Sequence, residues 1–86
     1  MSYKIRATPE FEKNFKDLTK KDKELVSRLV KAITKLSDNP KIGKPLSYDY
    51  SGLWSLRVGK YRLIYRIVEG EKEIWLITVG HRKKVY

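Results

Sequence analysis

The stretch Leu53-Trp54-Ser55-Leu56-Arg57-Val58-Gly59-Lys60-Tyr61-Arg62-Leu63-Ile64-Tyr65-Arg66 constrains the fold more than any other part of the chain. It reads as two strands joined by the two-residue turn Gly59-Lys60. Glycine at the first central position suits a type II′ hairpin, because it takes φ > 0 without a Cβ clash. Such a turn fixes the register: Val58 faces Tyr61, Arg57 faces Arg62, Leu56 faces Leu63 and Trp54 faces Tyr65. Trp54, Leu56, Val58, Tyr61, Leu63 and Tyr65 then share a core face. Arg57 lies across from Arg62 on the other face. Like charges directly opposite cost roughly 0.2–1 kcal/mol on the scale of cross-strand pairs. An arginine pair kept against that cost points to an anion between them; the alternative is a set of ordinary surface arginines in a lysine-rich chain.

The flanking segments supply the rest of one small domain, residues 1–86. Tyr3 to Ala7 alternates as a strand. Thr8-Pro9-Glu10 starts a helix, with Thr8 as cap, Pro9 in the first turn and Glu10 and Glu12 at the positive end of the dipole. Phe11, Phe15 and Leu18 form its apolar side. Thr19 is the expected cap of a second helix with the stripe Leu25, Val26, Leu29, Val30, Ala32, Ile33 and Leu36. Asn39-Pro40 stops it. Lys41 to Ser51 reads as a loop, its Tyr48 and Tyr50 packing on a sheet edge. After the hairpin, a turn near Glu69-Gly70-Glu71 leads to a strand over Glu73–Val79, apolar on both faces. The fold class is α+β: two N-terminal helices on one face of a small, mainly antiparallel four-stranded sheet, in the order β-α-α-β-β-β. A three-residue second turn pairs Arg62 with Thr78 and lines up Thr78, Gly80 and Arg82 beside the arginines. A four-residue turn flips that parity.

Charge narrows the partner class. Twenty basic side chains stand against ten acidic ones, a net charge of +10. Such a field draws polyanions, with nucleic acid ahead of an acidic protein or a membrane surface. There is no cysteine and a single histidine, His81. That excludes a disulfide frame and a cysteine-ligated metal, and neither a metal nor another cofactor is expected. No run of about 18 apolar residues is present, nor a signal-peptide pattern at the N-terminus, so a cytoplasmic protein is expected.

Arg57, Arg62 and Arg82 converge on one face in this scheme. Guanidinium groups bind phosphate bidentately and stay charged, which suits a phosphodiester but makes them poor bases. Tyr86 could stack on a base or take part in proton transfer, although its position alone favours a frayed terminus. His81 is the one group with an ordinary pKa near neutrality, but strand alternation sends it to the face opposite Arg82. Lys41, Lys44, Lys83 and Lys84 suit backbone steering. Lys60, His81, Lys83 and Lys84 join Arg57 as substrate-binding candidates.

Gly52 to Tyr65, taken with Val79-Gly80-His81-Arg82-Lys83-Lys84-Val85-Tyr86, closely resembles the RelE/ParE superfamily of toxin–antitoxin toxins, and most nearly its RelE branch. The resemblance implies a ribosome-dependent endoribonuclease that cuts mRNA during translation. In such enzymes the 2′-hydroxyl of the RNA attacks the adjacent phosphate. By motif match, Arg62 and Arg82 carry over as catalytic arginines and Tyr86 as the catalytic tail tyrosine. The resemblance also implies a small RelB-like antitoxin as partner. The sequence departs from the pattern at Ser55, at Pro45-Leu46, where one branch has a glutamate base, and at Val85. Two other functions fit the same chain: a non-enzymatic gyrase poison of the ParE kind, and a basic nucleic-acid-binding module without activity.

Overall fold

A computed structural model describes residues 2–46 and 52–81. The elements run β1 (Lys4–Ala7), α1 (Pro9–Thr19), α2 (Lys23–Asp38), a 3₁₀ turn (Pro40–Ile42), β2 (Lys44–Pro45), β3 (Leu53–Val58), β4 (Tyr61–Val68) and β5 (Glu73–His81). They build a five-stranded sheet in the order β1-β5-β4-β3-β2. β1 runs parallel to β5, and the other pairs are antiparallel. The architecture is thus α+β with a helix pair against a mainly antiparallel sheet. It has one strand more than the sequence suggests. β2 is two residues long and contains a proline, too short for alternation to reveal and tolerable only at an edge.

The helices follow their capping chemistry. Thr8 Oγ1 accepts the Phe11 N–H at 3.1 Å, and Pro9 opens α1. The cap of α2 is Asp22, not Thr19: Asp22 Oδ1 accepts the Leu25 N–H at 3.0 Å. The Thr19 hydroxyl instead donates back to the Phe15 carbonyl at 2.6 Å and so belongs to the end of α1. Phe11, Leu25, Leu29 and Leu36 from the helices meet Val58, Leu63, Tyr65, Ile74, Leu76 and Val79 from the sheet in one core. Leu29, Leu36, Leu63 and Ile74 are fully buried. Each contributes about 1.5–3 kcal/mol relative to an exposed position. Val30 departs from the expected stripe and is half exposed on the outer side of α2.

The hairpin register is the one the turn demands. Val58 pairs with Tyr61, Arg57 with Arg62, Leu56 with Leu63 and Trp54 with Tyr65. Gly59 sits at φ 59°. The second turn spans Glu69–Lys72, with the Lys72 N–H donating to the Glu69 carbonyl at 3.2 Å. Left uncorrected, this four-residue turn would reverse the parity of β5. A β-bulge restores it. Tyr65 pairs with Leu76 but Ile64 with Thr78, so Ile77 is the extra residue. Val79 thereby turns into the core, and Arg62 pairs with Gly80 rather than with Thr78. α1 clamps the irregularity: the Thr8 hydroxyl donates to the Ile77 carbonyl at 2.9 Å, and Asn14 Nδ2 to Thr78 Oγ1 at 2.6 Å.

Candidate anion-binding cleft

The face of the hairpin turned away from the helix-side core carries the site, and Ile64 is buried on that same face. Arg57 is exposed on β3, and Arg62 stands opposite it, half-buried, on β4. Together they border a cleft of about 470 Å³. Its far wall is the segment Ile42–Leu46, which brings Lys44 to the same hollow. Three cations therefore share the lining with Ser55 and Leu56, and among the described residues no carboxylate does. Gly80, directly beside Arg62 on β5, adds no side chain that could block approach to the guanidinium.

A buried phenol holds that wall in place. Tyr65 is fully buried and its ring stacks on Trp54, with centroids 6.4 Å apart and 28° between planes. Its hydroxyl donates to the Pro40 carbonyl at 2.6 Å and accepts the Gly43 N–H at 3.2 Å. Burial raises the Tyr65 pKa above the ordinary 10.0, and the Gly43 N–H offsets part of that rise. Gly43 has extended backbone, so the requirement there is space. A Cβ would stand 2.5 Å from both the Ser55 carbonyl oxygen and the Tyr65 hydroxyl. No side chain fits, and the segment lies flush against the edge of β3.

The other candidates divide. Lys60, exposed in the turn, holds its ammonium 5.9 Å from the Tyr61 ring centroid and borders a separate hollow with Asp22, Glu24 and Arg28. His81 pairs with Tyr61, and the two rings meet edge-on with centroids 6.1 Å apart. It borders a hollow on the α1 side with Glu10, Asn14 and Asp17, on the face turned away from the arginine pair. Arg82, Lys83, Lys84 and Tyr86 lie outside the described residues, as do Tyr48 and Tyr50. Lys44 is the group that sequence reasoning left among the steering lysines. Its flanking Gly43 and Pro45 hinted at a constrained segment, but its place opposite Ser55 comes from tertiary contacts alone. Among the described residues no cluster of three or more His, Asp or Glu side chains could hold a metal, and no helix is long and apolar enough to cross a membrane.

Known proteins share this arrangement over its whole length. The family model described as the ParE toxin of the type II toxin–antitoxin system, parDE, matches residues 5–86. Toxin RelG of Mycobacterium tuberculosis is 34% identical over 88 residues, an alignment that spans 100% of this chain and 98% of that protein. A chain of the RelBE2 toxin–antitoxin complex from the same organism superimposes with a TM-score of 0.81 at 32% identity, covering 95% of this chain and 93% of that one. The YoeB/ParE toxin from Agrobacterium tumefaciens has the same fold, with a TM-score of 0.82 at 21% identity over 92% of this chain and 98% of that one. Fold, charge and full-length similarity together define a toxin of the type II toxin–antitoxin class. The chain belongs to the RelE/ParE superfamily and is a RelE-family toxin.

Proposed function

We propose that this toxin is an endoribonuclease that cuts mRNA on the translating ribosome, in the cytoplasm. The observation that carries this reading is the Arg57–Arg62 pair opposed across the hairpin at a cleft that also receives Lys44. The scissile phosphate sits between the guanidinium groups. The 2′-hydroxyl oxygen attacks the adjacent phosphorus, the bond from phosphorus to the 5′-oxygen breaks, and a 2′,3′-cyclic phosphate remains. The proton of the 2′-hydroxyl leaves as the nucleophile forms, and the departing 5′-oxygen gains one. Arg62 neutralises the charge that builds on the non-bridging oxygens, which is where fixed donors act most strongly. Arg82 serves the leaving oxygen, and Tyr86 stacks on a base or assists proton transfer. Lys83 and Lys84 steer the message. Arginine cannot serve as the base at working pH. A cognate antitoxin with an acidic segment masks the +10 surface when the toxin is held silent.

Mapping transcript ends after induction tests the proposal. Codon-phased new ends with the parent chain, lost with Arg62→Ala, are the expected result. Equal cutting by Arg62→Ala, Arg82→Ala and the double variant would remove the phosphate site. A second reading draws on the family model, whose description is that of a ParE toxin. A gyrase poison would leave transcripts intact while DNA damage accumulates, and it would not need the arginine pair.

A further inference from the structure

Beside the arginine pair a second hollow adjoins the cleft. This groove of about 420 Å³ runs between α2 and the edge of β3. It shares Ile42, Leu56 and Arg57 with the cleft, so the two hollows adjoin at Arg57. Its α2 wall presents Arg28, Lys31 and Lys35, and among the described residues no carboxylate lines it. These three sit at i, i+3 and i+7 and form one row along the helix. Successive members rise about 4.5 and 6 Å along the axis. The Arg28 guanidinium reaches the turn end of the groove, 3.5 Å from where a Gly59 Cβ would stand. It also pairs with Glu24 at 2.9 Å, so Lys31 and Lys35 carry the less committed charge. The floor is apolar, with Ile42 exposed over 38% of its surface.

We propose that this groove is the continuation of the cleft and carries the phosphate backbone of the same RNA strand, with Lys31 and Lys35 gripping phosphates beyond the scissile one. The inference rests on the nuclease reading of the cleft and extends it to flanking nucleotides. A positively charged groove that tracks the backbone is the electrostatic half of single-strand binding sites, and it is the half that the described lining of this groove supplies. An acidic peptide added to β3 as an extra strand is the competing occupant, and the edge is too short for it. The Leu46 N–H bonds to the Leu53 carbonyl, so the odd residues of β3 aim their backbone groups outward. β2 occupies that edge beside Trp54 and Ser55. Before the turn only Arg57 remains with outward-facing groups, and one residue cannot template a strand.

The test uses the whole toxin and uncleavable 2′-O-methyl RNA in two lengths, about three nucleotides, below the roughly 4–16 that single-strand grooves hold, and about nine, within that range. Lys31→Gln/Lys35→Gln changes two exposed helix positions to another good helix former, so the fold is retained. The parent is expected to bind the longer strand at least about tenfold more tightly, a gain of two phosphate grips; the α2 variant should lose most of that gain. Its salt slope should fall by about 1.4, since each lost contact to a single strand removes about 0.7. An unchanged length effect and salt slope in the α2 variant overturns the proposal. So does a glutamate-rich peptide that binds through Lys31 and Lys35 in place of RNA. Weakening of the short strand by Arg62→Gln, with no effect of the α2 pair at either length, refutes the track alone. Failure of the parent to bind the short strand refutes the phosphate cleft itself.

Discussion

Tyr65→Phe removes one oxygen and should loosen one wall of the cleft. The phenol is fully buried, and its hydroxyl joins the Pro40 carbonyl at 2.6 Å to the Gly43 N–H at 3.2 Å. Pro40 is buried, so its carbonyl loses a partner that water cannot readily replace. That costs about 1–3 kcal/mol, whereas the half-exposed Gly43 N–H regains water and costs about 0.5–1 kcal/mol. The sum is about 1.5–4 kcal/mol. A domain of this size has about 4–13 kcal/mol in total, so the loss is a large share. Urea titration should show the midpoint falling by about 1–2 M with an unchanged slope. The melting temperature should drop by about 6–30 °C. Hydrogen exchange at the Gly43 amide should accelerate more than exchange in the core of β4. A destabilisation below about 0.5 kcal/mol, with Gly43 protection intact, would refute the idea that the phenol pins the wall.

Gly43→Ala should cost about 1–3 kcal/mol, because its Cβ meets two oxygens at 2.5 Å. One of those is the Tyr65 hydroxyl, so a double-mutant cycle with Tyr65→Phe should be less than additive by at least about 0.5 kcal/mol in urea melts. The raised Tyr65 pKa means that the unfolded chain gives up this proton first as pH climbs. The stability the buried phenol contributes is therefore intact below pH 10 and is lost as pH rises through its folded value. The gap between parent and Tyr65→Phe should narrow above pH 10, by at most about 1.4 kcal/mol per pH unit. Arg57→Thr should stabilise the fold by about 0.2–1 kcal/mol at low ionic strength, with the gain shrinking in high salt, while new transcript ends diminish.

The parts of this fold that follow from neighbours in sequence are the legible ones. Gly59 sets a two-residue turn, and the whole β3–β4 register follows from it, including the opposition of Arg57 and Arg62. Thr8 and Pro9 announce α1 in the same local way. The features that escape depend on distant contacts. The bulge at Ile77 is fixed by Thr8 and Asn14, more than sixty positions earlier. No pattern within β5 can reveal it, because the strand is apolar on both faces. The cap of α2 is Asp22 rather than the expected Thr19, because the Thr19 hydroxyl finds the Phe15 carbonyl instead. Lys44 enters the cleft only because Tyr65 draws the 3₁₀ turn against the sheet edge.

The arginine pair is held together by residues that never touch it. Within the hairpin, opposed guanidinium groups favour a slipped register by up to about 1 kcal/mol. A slip of one residue, however, would send Val58 and Leu63 to the face now held by the arginines and the arginines toward the helices. Each buried apolar side chain on the reverse face resists that by about 1.5–3 kcal/mol. Val79 adds its share only because the bulge returns β5 to the matching parity. The core under α1 and α2 thus outweighs the repulsion several times over and fixes the charges in position before any anion arrives. An anion then finds its ligands already placed, and binding does not have to bring the two guanidinium groups together. The same logic makes Leu63, which is fully buried behind Arg62, a positioning residue for the cleft although its side chain faces away from it.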